Sequence, residues 1–411
     1  MKQFWKNHYW HFFILVPIFL AFFGLTNAIP DSAQDQEIYD VVIVGGGVSG
    51  CYCGWRLLGA DGEDLAERHK PSVHLYEMSD RIGGRIFTVF LPGMPHVPVE
   101  LGALKFRSNQ PLVRGLAEKL ELTVHEIHEE PSDNFVFLRG KRFRASELTN
   151  PKILPYTLTQ YEEGKTPYEL IIYALETLIP DFSTMTPEEW NDQKGKISYN
   201  GVKLTEMSWQ NFLSSTLSSE AYQLLVDTGT VHLVNNVSVA SQIPGFLRQE
   251  HFVSYQIAEG FQEVPKKIAK AFEKKGGKIH KKHRLKGIYK VESSEGLVLR
   301  LVFEFTADRE KHEVHALAKN VILAIPVKAY ERLEEDSVLF DKDQFQKNLN
   351  SVNPIPSTKL YFAYSRPWWR SLGLQSGDSV SDFELRSTYY YGTESEAYKG
   401  EKGNTNALLL A

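Results

Sequence analysis

The run Tyr39 to Val44, apolar except for Asp40, ends at Gly45-Gly46-Gly47-Val48-Ser49-Gly50, and a helix-forming stretch, Cys51 to Leu58, follows at once. A continuous apolar run with β-branched residues fits a strand buried on both faces, as in a parallel sheet. Gly45-x-Gly47-x-x-Gly50 permits a tight strand-to-helix turn. It also lets a phosphate approach the helix N-terminus, where unpaired N–H groups and the helix dipole favour negative charge. A second strand, Ser72 to Glu77, ends on an acid 27 residues after Gly50. Such an acid is placed to accept ribose hydroxyls. A glycine turn with no ligand is the bland alternative. The strand before it, the helix after it and the acid beyond it together favour a dinucleotide site.

The rest of the chain sets the scale. Its 411 residues predict two or three domains. A net charge of −5 argues against nucleic acid as the main partner. The lysines between Lys266 and Lys286 have helical and strand spacing and read as a solvated face. The two cysteines, Cys51 and Cys53, stand two apart and read as free thiols, not as a disulfide framework or a metal site. Lys2 and Lys6 precede an apolar run from Phe12 to Leu25, and Thr26-Asn27-Ala28 offers small residues for cleavage. This pattern predicts a signal peptide over residues 1–28, with export to the periplasm or outside the cell. Anchoring by residues 12–25 is the alternative. Asn236-Val237-Ser238 is the one glycosylation sequon.

Periodicity predicts helices from about Gln110 to Leu122, over Tyr168 to Leu178 and over Gly260 to Lys275. It predicts strands at Lys278 to His280, Leu285 to Val291, Leu297 to Phe305, Val321 to Ile325 (stopped by Pro326), Lys359 to Tyr364 and Leu408 to Leu410. His232 and His251 are lone histidines with no motif around them.

The segment after Glu77 narrows the cofactor. Glu77-x-x-x-Arg81-x-Gly83-Gly84-Arg85 places two arginines and a Gly-Gly bend directly beyond the ribose acid. Arg85 could reach a pyrophosphate, and the glycines let the backbone pass close to it. With Glu100-Leu101-Gly102-Ala103, Gly260-Phe261-Gln262, Val321 to Pro326 and Lys359-Leu360-Tyr361, this resembles the flavin-containing amine oxidase family over nearly the whole chain. Gly377 to Tyr391 is more similar to its L-amino-acid oxidase branch.

The resemblance implies an α/β fold: a Rossmann-type, GR2-like FAD-binding domain interleaved with an α+β substrate domain and a helical insertion. The expected parts are FAD-binding residues 39–105 and 251–330, a substrate and helical part at 106–250, and a substrate-domain sheet at 331–411. The implied cofactor is FAD, with contacts from Gly45, Gly47, Val48, Ser49, Gly50, Glu77, Met78, Arg81, Gly84, Arg85, Gly102, Ala103, Leu104, Lys105 and the backbone of Leu285. Lys359 matches the lysine that holds a water at flavin N5; without the resemblance it would read as an exposed strand lysine.

The implied reaction is oxidation of an L-amino acid to keto acid, ammonia and hydrogen peroxide, with molecular oxygen as co-substrate and a homodimer as a candidate assembly. Amine oxidation and an inactive, truncated form are the alternatives. Two departures bear on this. The family's substrate-clamping arginine is replaced by Lys105, a point charge without the guanidinium fork; Arg107, two residues on, would share its face in an extended segment. Relatives also continue beyond the position of Ala411, so the last strand is expected to lack partners and expose an edge.

Overall fold

The computed structural model describes residues 37–59, 70–127, 133–231, 234–247, 253–307, 309–340, 343–352 and 354–411. The signal-peptide reading and His232 and His251 lie outside the described residues.

Ile38–Val44 is the inner strand of a six-stranded sheet, with Val73–Glu77 and then Lys278–Lys281 on one side and Glu310–Leu323, Gly296–Ala307 and His283–Ser293 on the other. The first four run parallel, and the last two continue antiparallel as a meander. Alternation along the inner strand explains the unbroken apolar run from Val41 to Val44. Ile43 faces the helices Val48–Leu57 and Glu263–Lys274, packing with Cys51, Ile268 and Phe272. Val42 and Val44 face the other way and pack with Tyr76, Leu285, Leu301 and Phe303. A strand wetted on neither face has no use for polar residues.

A second six-stranded sheet runs in the order Tyr361–Tyr364, Ala407–Leu410, Ser387–Thr393, Gly377–Ser381, Phe135–Leu138, Lys141–Arg144. Against it lies the largest core, built from helices between Pro167 and Gln242. Pro167–Leu178 shows why these helices start where they do. The Thr166 hydroxyl accepts from the Glu169 N–H, the Glu169 carboxylate accepts from the Thr166 N–H, and Pro167 occupies the first turn, where no N–H partner is needed. A three-stranded sheet, Phe106–Arg107, Ser254–Ile257 and Val124–Ile127, and the hairpin Thr88–Leu91 with Met94–Glu100 join the two large sheets.

Two expectations change. Ala407–Leu410 is not an unpaired edge: it hydrogen-bonds to Tyr361–Tyr364 on one side and Ser387–Thr393 on the other, and Leu408 is fully buried. Val321 to Ile325 is not a separate buried strand. Val321 to Leu323 ends the strand Glu310–Leu323, whose charged first half carries no apolar signal, and Val321 itself is half-buried.

Candidate active site

The glycine loop is built from close approaches. Gly45 takes φ +109° and donates its N–H to the Tyr76 carbonyl at 2.8 Å. A Cβ on Gly50 would lie 1.9 Å from the Gly45 carbonyl oxygen, whereas one on Gly47 would meet nothing within 4 Å. Gly50 thus lets the helix sit on the loop, and Gly47 leaves open space beside the first turn. That turn has no side-chain cap, because Gly47 is itself the N-cap residue. Its N–H groups remain available to an anion.

Glu77 is buried behind the loop. One carboxylate oxygen accepts from the Gly46 N–H at 2.6 Å, and the other accepts from the Ser79 N–H at 2.8 Å and the Ser79 hydroxyl at 2.7 Å. The acid therefore holds the loop together, and its removal would disturb that loop. The segment Arg81 to Arg85 is stapled to the same loop. Gly83 donates its N–H to the Gly46 carbonyl at 2.9 Å, and Gly47 and Gly83 form a parallel bridge. Arg81 lies over the Phe87 ring and donates to the Gly84 carbonyl at 2.8 Å, bracing the bend. Arg85, Met78, Ser49 and Ala103 are exposed around the opening, with Val48, Gly102 and Leu104 half-buried. Leu285 stands buried in the core under Val42, Val44 and Tyr76.

At the other end, Lys359 precedes its strand and is not an exposed strand lysine. Its half-buried ammonium donates to the carbonyl of Glu100 at 3.1 Å and to that of Gly102. Burial pulls its pKa below the ordinary lysine range, with the Glu100 charge opposing. Tyr361 donates to the same Glu100 carbonyl at 2.7 Å. Lys105 is half-buried with its ammonium 5.4 Å from the centre of the Tyr389 ring. Arg107 is exposed on the strand that pairs with Ser254, so the two cations occupy different surroundings.

Residues 56–411 match the family described as flavin containing amine oxidoreductase. The chain belongs to this family. Its relatives include achacin from Lissachatina fulica, 28% identical over 356 residues that make up 83% of this chain and 64% of achacin. An L-amino-acid oxidase from Demansia vestigiata is 24% identical over 89% of this chain and 65% of its own length. The chain thus spans slightly less than two thirds of the length of these relatives. Among solved structures, putrescine oxidase bound to putrescine superposes with a TM-score of 0.60 at 19% identity, covering 92% of this chain and 75% of that one. Cyclohexylamine oxidase from Brevibacterium oxydans gives 0.59 at 18% identity, covering 91% and 75%. These two establish the fold, which is that of FAD-dependent amine oxidases with a Rossmann-type domain.

The family's cofactor is FAD, and the residues present fit it: an uncapped helix N-terminus, open space at Gly47, a buried acid behind the loop and an exposed arginine beside it. The residues missed from sequence are those whose role is to hold others, namely Thr88, Gln262, Tyr361, Tyr389 and the side chain of Glu100. Glu100, Gln262, Tyr361 and Tyr389 lie in the segments that carry the resemblance, but nothing in the sequence marked their side chains, and Thr88 lies in none of those segments.

Proposed function

We propose that the protein is an exported oxidase of L-amino acids, releasing a keto acid, ammonia and hydrogen peroxide. When bound, FAD accepts two electrons from the C–H bond beside the amine and passes them to molecular oxygen. The chain's own residues supply the rest. The uncapped first turn after Gly47 and the Arg85 side chain take the pyrophosphate, and Glu77 takes the ribose. The backbone from Gly102 to Lys105 would line the flavin. Lys359, fixed between two carbonyl groups, holds the water that meets the reacting centre and hydrolyses the product imine. Lys105 attracts the substrate carboxylate as a point charge, and its packing on Tyr389 limits where that charge can go.

The observation that carries this reading is Lys359 bound to the carbonyl groups of Glu100 and Gly102, with a second half-buried cation, Lys105, three residues after Gly102. It is tested with Lys105→Ala, assayed by peroxide release. KM for leucine or phenylalanine should rise by about tenfold or more, the scale of a lost charge-assisted hydrogen bond. KM for tyramine, which has no carboxylate, should move little. Equal effects on both would transfer the reading to amine oxidation, which the loss of the arginine fork at Lys105 favours.

A further inference from the structure

The Glu100 side chain does something that its place in the strand does not require. It is 2% exposed. One carboxylate oxygen accepts from the Phe261 N–H at 2.7 Å, and the other accepts from the Thr88 hydroxyl at 2.8 Å. Thr88 in turn accepts from the Gln262 N–H at 3.1 Å, and the Gln262 side chain donates to the Ile82 carbonyl at 2.8 Å. Through these bonds the carboxylate ties together the hairpin, the segment returning at Gly260 and the bend after Arg81. The backbone carbonyl of the same residue takes the Lys359 ammonium and the Tyr361 hydroxyl. One residue thus fixes the hairpin and the segment at Gly260 with its side chain and the lysine with its main chain.

Its surroundings are poor in compensating charge. The two donors to the carboxylate are neutral, and the ionised groups and phenols that sense it are Lys359, Tyr361 and Tyr391. Burial pushes the Glu100 carboxyl up to about 7, against the pull of the Phe261 and Thr88 hydrogen bonds and the Lys359 charge. A buried acid and a half-buried amine that feel each other's charge titrate as a pair, since each charge makes the other easier to hold.

We propose that Glu100 is a positioning residue for Lys359, fixing the carbonyl groups that seat its ammonium and supplying the negative charge that keeps it protonated. The functional importance of the pair rests on the reading of Lys359 given above. The pairing itself does not. Ionisation of Glu100 raises the proton affinity of Lys359, and protonation of Glu100 lowers it. The fraction of neutral Lys359 amine therefore climbs less steeply with pH while Glu100 titrates than it does for a free lysine.

The experiment measures acetylation of Lys359 in the folded full chain from pH 6 to 9, by peptide mass spectrometry, relative to exposed Lys270. The wild-type profile should show a shallow break near neutrality. In Glu100→Gln the break should vanish, and the relative rate above pH 8 should rise about tenfold, the effect of losing an opposite charge close by. An unchanged profile in Glu100→Gln would reduce Glu100 to a structural clamp and overturn the proposal. Glutamine cannot accept both hydrogen bonds with its amide NH₂, so a second variant guards against misfolding. Thr88→Val removes one bond to the ionised carboxylate, and the break should move to higher pH; a break left in place overturns the proposal independently. If the profiles behave as expected but Lys359→Met oxidises amino acids at the wild-type rate, the pair stands and the role given to Lys359 fails.

Discussion

Adding one methyl group at two positions of the same loop should give opposite failures. At Gly50 the new Cβ would stand 1.9 Å from the Gly45 carbonyl oxygen and 3.1 Å from its carbon. Cβ contacts under 3.0 Å essentially never occur, so loop and helix would have to separate by more than 1 Å. Gly45 cannot yield easily, because its own Cβ position is 2.5 Å from the Ala324 carbonyl oxygen. Overpacking of this kind costs about 1–3 kcal/mol. At about 2–4 °C per kcal/mol for a unit of 150–250 residues, Gly50→Ala should lower the melting temperature of the cofactor-free protein by about 2–12 °C. Gly47→Ala meets no atom and keeps its φ of −73°, so the cofactor-free protein should change by less than about 0.5 kcal/mol. In the FAD complex proposed above, its methyl group would instead stand where the pyrophosphate comes close. The same 1–3 kcal/mol, now charged to binding, weakens FAD about five- to 150-fold. Differential scanning fluorimetry without FAD reads the first effect, and quenching of flavin fluorescence on titration reads the second. If Gly47→Ala bound FAD like the wild type and Gly50→Ala melted like it, the loop would be an ordinary turn and the phosphate argument would fail.

Three other outcomes are expected. His280, stacked on Tyr76 and 3.0 Å from the His74 ring nitrogen, is held at about 4 by burial and by His74, His283 and Lys278. The unfolded chain takes up this proton near pH 6.5 and the folded chain does not, so stability should fall as pH drops from about 6.5 to 4. Urea midpoints across that window should show a flatter acid limb in His280→Asn, and parallel curves would refute the assignment. Glu162, 2% exposed, accepts from the N–H groups and hydroxyls of both Thr159 and Ser218. Glu162→Ala strands those donors and should cost about 2–4 kcal/mol by urea denaturation; a cost below about 1 kcal/mol would show that water replaces the carboxylate. Lys359→Met should leave the unfolding free energy from urea denaturation within about 1 kcal/mol of wild type yet slow peroxide formation by about 10²-fold, the scale for one preorganised charged donor. Retention of full activity would remove Lys359 from the reaction.

The cofactor end was the more legible half because its chemistry is local in sequence. Gly45 to Gly50 and Glu77 reach one site through a single βαβ unit, and strand, helix and glycine signals agree there. The other end is assembled from distant segments whose side chains carry no distinctive pattern. Thr88, Glu100, Gln262 and Lys359 are linked by hydrogen bonds spanning 12 to 259 residues, and spacing cannot encode such a network. The pairing of Ala407–Leu410 was misjudged for a related reason. Its four apolar residues say that the strand is buried, but only Tyr361–Tyr364 and Ser387–Thr393 say by what. The reach of the strand ending at Leu323 was hidden because its first residues, Glu310 to Glu313, are exposed and charged where the meander leaves the core.

The pairing of the inner strand with its later neighbour also sets a timetable for synthesis. Ile38 sits opposite Leu317, 279 residues further along the chain. At about 5–20 residues per second, roughly 14–56 s separate the emergence of the two from the ribosome. During that interval one of the most apolar segments of the protein has its partner on one side only, and the whole helical insertion is made while it waits. The cofactor loop is therefore encoded first and finished late. A nascent chain arrested before residue 310 should accordingly be bound by chaperones through Ile38–Val44 and released once Leu323 has cleared the exit tunnel.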